Sequence, residues 1–72
     1  MPTRKVYVVY GPSLEWGDGL GVVGYAKTLA DAVAIIHEDI ALYGTHPSDY
    51  YIDVVGVDYL PKEVLEEVFG GV

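Results

Sequence analysis

With 72 residues, 11 acidic and 4 basic side chains, a formal charge of −7 and no cysteine, the chain has room for one small domain and neither a disulfide framework nor a thiolate metal site. Its only basic residues, Arg4, Lys5, Lys27 and Lys62, are too few to neutralise a run of phosphates, so direct nucleic-acid contact is not expected, and a basic protein surface is the natural partner for a charge that also keeps the chain in solution. No apolar run approaches the roughly 20 residues that a bilayer requires. Residues 1–10 also lack the apolar stretch and cleavage site of a signal peptide, so a cytoplasmic protein without membrane contact is expected.

The chain order is strand, strand, helix, strand, short helix. Arg4 to Tyr10 (RKVYVVY) is β-branched and aromatic, which predicts a strand covered on both faces, and Gly11 with Pro12 is expected to stop it. GPSLEWGDG, Gly11 to Gly19, reads as a hairpin loop with Trp16 near its tip. LGVVGYAK, Leu20 to Lys27, is a second strand whose Gly21 and Gly24 mark a bulge or the close approach of another group. Thr28 followed three residues later by Asp31 resembles a capping box and opens a helix from Leu29 to Tyr43, with Gly44 as its stop. The core stripe of this helix is expected to be Leu29, Ala32, Val33, Ile36, Ile40 and Tyr43. Ile35 and Leu42 then stand on a flank of their own, and Ala30, Ala34 and Ala41 form a small-residue stripe, so the helix calls for cover on more than one side.

After a loop containing Pro47, a third strand is expected from Tyr50 to Tyr59, largely apolar on both faces but interrupted by Asp53 and Asp58. Pro61 begins a short helix whose sticky side is Val64, Leu65, Val68 and Phe69, ended by Gly70 and Gly71. A hairpin followed by a strand-helix-strand crossover gives an α+β fold: a three-stranded antiparallel sheet of order 2-1-3, with the main helix on one face and the short C-terminal helix added, ββαβα. Residues 1–72 are one domain, with 1–59 as its ββαβ core and 60–72 as the C-terminal helix and tail. The face away from the main helix needs the terminal helix, a second subunit, or both.

The chemical motifs are weak. Gly19, Gly21 and Gly24 spell the dinucleotide fingerprint G-x-G-x-x-G, but the residues after Gly24 continue a strand instead of opening a helix. Met1-Pro2 invites comparison with the tautomerases, yet the first strand here leads into a hairpin, and behind Met1 the proline nitrogen is an amide that cannot act as a base. His37 and His46 have carboxylates near them in sequence but no metal-ligand spacing. Ser13 and Ser48 have no evident base. No enzyme activity, cofactor or metal is therefore expected. The tyrosines, seven in all, and Trp16 offer hot-spot chemistry at an interface as readily as core packing. The absence of Asn and Gln fits a thermophilic source or a GC-rich genome.

The pattern V-Y-V-V-Y, then G-x-x-x-T-L-A-D-A-x-x-x-I over Gly24 to Ile36, then Y-x-I-D-x-V-x-V-D over Tyr50 to Asp58, resembles the small orphan domains of phage and prokaryotic genomes. The resemblance implies a ββαβ fold and a role in binding a host protein, and the segment from Leu60 is an addition to it. The leading expectation is a non-catalytic protein-interaction module, a homo-oligomer of phage or regulatory type, contacting its partner through Trp16, Ile35, Leu42, Tyr51, Val68 and Phe69. The alternative is a small-ligand or nucleotide-sequestering protein whose pocket, at a subunit interface, uses Trp16, Gly21, Gly24 and Tyr25.

Overall fold

The computed structural model describes residues 4–12 and 20–70, and of residue 20 the backbone only. The strands are Lys5–Pro12 (β1), Leu20–Ala26 (β2) and Tyr51–Gly56 (β3), and the helices are Leu29–Tyr43 (α1) and Lys62–Phe69 (α2). The sheet is antiparallel in the order β2-β1-β3, the α+β arrangement expected from the sequence. Both helices stop where glycine permits a left-handed residue: Gly44 (φ 66°) donates its N–H to Ile40 O at 2.8 Å, and Gly70 (φ 86°) to Glu66 O at 3.0 Å. Thr28 caps α1, its Oγ1 accepting the Asp31 N–H at 3.1 Å. No helix among the described residues is long and apolar enough to cross a membrane.

The strands end differently from expectation, in both cases for a tertiary reason. β1 runs on through Gly11 and Pro12, which pair with Gly21 and Leu20. Pairing with β3 has already ended at Tyr10 and Tyr51, so the missing N–H of Pro12 leaves no gap in the second ladder. β3 stops at Gly56 instead of Tyr59, and Val57–Tyr59 turns into a 3₁₀ segment. The last ladder bond, from Val57 N–H to Arg4 O at 3.1 Å, falls where β1 itself begins. The register of β2 slips by one residue between Val9·Gly24 and Tyr10·Val22, leaving Val23 as a bulge.

α1 packs on the sheet face that carries Val9, Ala26 and Tyr50, with Ala32 fully buried beneath it and Ile35, Ile36 and Ile40 against the same cluster. This is a correction to the expected stripe. Leu29, Val33 and Tyr43 are 54%, 39% and 56% exposed, because the helix is turned so that Ile35 fills the space above Gly24. A Cβ on Gly24 would stand 3.2 Å from Ile35 Cδ1, which is the close approach anticipated for that glycine.

Val6 and Val8, 0% and 2% exposed, lie outside the α1 cluster, as strand alternation requires. Arg4 continues their side of the strand, and its guanidinium carbon sits 5.3 Å from the centre of the Phe69 ring. α2 also packs on β2, and its Val64, Leu65, Val68 and Phe69 are all half-buried. Gly11 is the tightest point of the sheet: a Cβ there would meet the Tyr50 ring at 2.5 Å and Val23 Cγ2 at 2.9 Å. Gly11→Ala is expected to cost about 1–3 kcal/mol and Gly24→Ala less, measured by urea denaturation.

Candidate functional site

Tyr50 leaves the sheet beside Gly11 and carries its hydroxyl to α1, where it donates to Asp39 Oδ2 at 2.6 Å. A phenol has one proton to give, so the Thr45 hydroxyl, also in contact with the Tyr50 oxygen, must donate to it. Burial, followed by the hydrogen bond to Asp39, raises the Tyr50 pKa above 10.0. The link fixes the Asp39 carboxylate, an acid on the inward side of a helix.

Asp39 also lines an open groove of about 300 Å³ where α1, β2 and the end of α2 meet. Val23, Gly24, Ile35 and Leu42 form its apolar wall, and Tyr25, Glu38, Asp39 and Glu67 its polar rim. Leu42 is 75% exposed. Among the described residues the ion pair is Lys62 with Glu66, 4.0 Å apart in α2, and the residues lining the groove include no Lys or Arg. Glu67 stands in the last turn of α2, where the helix dipole disfavours negative charge and where no basic residue occurs.

A second feature lies on the opposite sheet face. The Tyr10 and Tyr51 rings stack with centroids 4.7 Å apart and planes 14° off parallel. Burial first, then Tyr51, Asp53 and Tyr25 nearby, raise the Tyr10 pKa above 10.0. Asp53 is exposed, and its Oδ1 accepts the N–H of Val54 at 3.0 Å.

The structure thus brings together Ile35 and Leu42 from one expected set with Gly24 and Tyr25 from the other, around a single groove. Tyr51 is elsewhere, on the tyrosine stack. Val68 and Phe69 are half-buried in α2, and Gly21 sits in the β1–β2 ladder opposite Gly11. Trp16, Ser13 and Gly19 lie outside the described residues. The sequence reading missed Glu38, Asp39 and Glu67. The signal for Asp39 was present, since it lies between Ile36 and Ile40 at the edge of the apolar stripe; nothing local marks Glu67.

His37 is exposed on α1. His46 belongs to a turn, its N–H donating to Asp49 Oδ2 and its Nδ1 lying 3.0 Å from Ser48 Oγ, so Asp49 is occupied in capping. Among the described residues no three His, Asp or Glu side chains group as metal ligands. The chain matches no protein-family model, no curated protein and no solved structure, so the resemblance to phage and prokaryotic orphan domains rests on the sequence pattern alone.

Because the folded pKa of Tyr50 and of Tyr10 lies above the unfolded value, the folded state holds these protons longer. Their contribution to stability is complete below pH 10 and is lost as pH rises through the folded values. Denaturation midpoints should therefore fall above pH 10, and Tyr50→Phe should flatten that decline while lowering stability at neutral pH by about 1.5–3 kcal/mol for the lost charge-assisted bond.

Proposed function

We propose that the protein is a non-catalytic interaction module, of phage or regulatory type, that binds a basic surface of a partner protein through the groove between α1, β2 and α2. The observation behind this reading is the groove's composition: an exposed leucine and an isoleucine wall rimmed by Glu38, Asp39 and Glu67. Aliphatic stems of Lys or Arg pack on such a wall while their charged ends meet the carboxylates. Glu67 supports it further, because its placement in the last turn of α2, with no basic residue beside it, weakens its own helix. The reading does not require a second copy of the chain, since residues of one chain line the whole groove. The small-ligand alternative has less support, because the space above Gly24 is filled by Ile35.

A randomised peptide library panned on the protein tests this. Selected peptides should combine Lys or Arg with aliphatic residues and should bind more weakly as salt is raised. Glu67→Lys should abolish their binding while leaving stability unchanged or raising it by about 0.3–1 kcal/mol. Selection without charge preference, or binding indifferent to Glu67→Lys and to Leu42→Ser, would remove the proposal.

A further inference from the structure

The edge strand β3 presents a second, independent opportunity. The bond from Val57 N–H to Arg4 O, together with the register of β1 and β3, sets the phase of the ladder. Val57, Val55, Asp53 and Tyr51 turn their backbone groups toward β1, and Ile52, Val54 and Gly56 turn theirs outward. The Asp53 carboxylate on the Val54 N–H agrees with that phase, since the amide must point away from β1 to be reached. The strand contains no proline, and unlike β2 its register with β1 has no bulge. It therefore carries few of the devices that blunt an edge, apart from Asp53 itself. Val54 and Tyr51, 47% and 50% exposed, offer apolar contact on its two faces.

The tyrosine stack gives the edge its chemistry. Tyr10 and Tyr51 face each other across neighbouring strands, and their centroid separation of 4.7 Å equals the spacing of strands in a sheet. The stack therefore runs across the sheet, and the free face of Tyr51 is turned toward the place that a fourth strand would occupy. Asp53 is two residues along on the same sheet face. A planar cation standing on Tyr51 and donating to Asp53 completes this row, and the guanidinium group does both, where an ammonium has no plane to stack. Between Pro47 and Pro61 the chain carries Asp49, Asp53 and Asp58 and no Lys or Arg. The same charge that suits a basic strand opposes pairing with a second copy.

We propose that β3 accepts an extended, arginine-bearing segment of a partner protein as a fourth strand, its backbone pairing with Ile52, Val54 and Gly56 and its guanidinium resting on Tyr51 beside Asp53. The incoming carbonyl takes the Val54 N–H, and the arginine takes the carboxylate that this releases. This site is separate from the groove, and either can fail without the other.

The test is an amide-resolved NMR titration of the full chain with a blocked hexapeptide of alternating Thr and Val carrying one central Arg. Shifts and slowed hydrogen exchange are expected at the Ile52, Val54 and Gly56 amides. Affinity should fall about fivefold or more when the peptide Arg is replaced by Lys, the scale of a lost stacking contact. It should fall similarly with Asp53→Asn, which can still accept the Val54 N–H, or with Tyr51→Leu, while Glu67→Lys leaves it unchanged. Absence of binding, shifts at Gly24, Ile35 and Leu42 instead, or equal binding of Arg, Lys and Glu peptides would overturn the proposal. So would concentration-dependent protection of the three edge amides without peptide, which would mean that a second copy takes the place.

Discussion

A tyrosine ring laid across a glycine joins the parts of this protein that would otherwise be independent. Tyr50 enters from the strand side, crosses β1 at Gly11 and ends on α1 at Asp39, with Thr45 of the connecting loop on the same oxygen. Each partner constrains the next: the ring needs the missing side chain of Gly11, the hydroxyl needs a carboxylate at that height on the helix, and the helix must be turned to provide it. Once Asp39 faces inward, Ile35 falls over Gly24 and Leu42 swings out. The groove is thus a consequence of how one phenol is accommodated.

Much of the framework was legible in the residues alone. Thr28 with Asp31, and Gly44 and Gly70 at the helix ends, are local signals with local causes, and the hairpin followed by a crossover limits the sheet to few orders. The rotation of α1 was not legible. Its circumference is apolar almost all round, so periodicity does not rank Val33 above Ile35; the glycine on β2 and the Tyr50 hydroxyl just before β3 decide between them. The continuation of β1 through Gly11 and Pro12 was hidden for a similar reason. Those residues signal a break when read along the chain, yet in the sheet Gly11 serves a packing need and Pro12 lies beyond the second ladder.

The site was legible by halves. Ile35, Leu42, Gly24 and Tyr25 stood out as apolar or small residues in excess of one core, though as members of two competing sites instead of one. The carboxylates did not stand out, because an acidic chain has acids everywhere and only the tertiary arrangement selects which of them surround an apolar wall. On the other face the terminal helix and a second subunit stood as candidate covers; Val68 and Phe69 are half-buried in α2, with Phe69 under Arg4.

The stacking of Arg4 on Phe69 has a consequence for how the chain reaches this state. β1 is made first, yet it is the central strand, and both of its neighbours and both of its covering layers come later in the chain. Its two edges and two faces stay open until β3 has paired and Phe69 of α2 has docked on Arg4. Contacts between residues so far apart in sequence as Arg4 and Phe69 raise the contact order, and folding of such topologies is slow compared with helical proteins of similar length. Before that, the apolar run Val6 to Val9 lacks its partners, and a net charge of −7 opposes its meeting another copy.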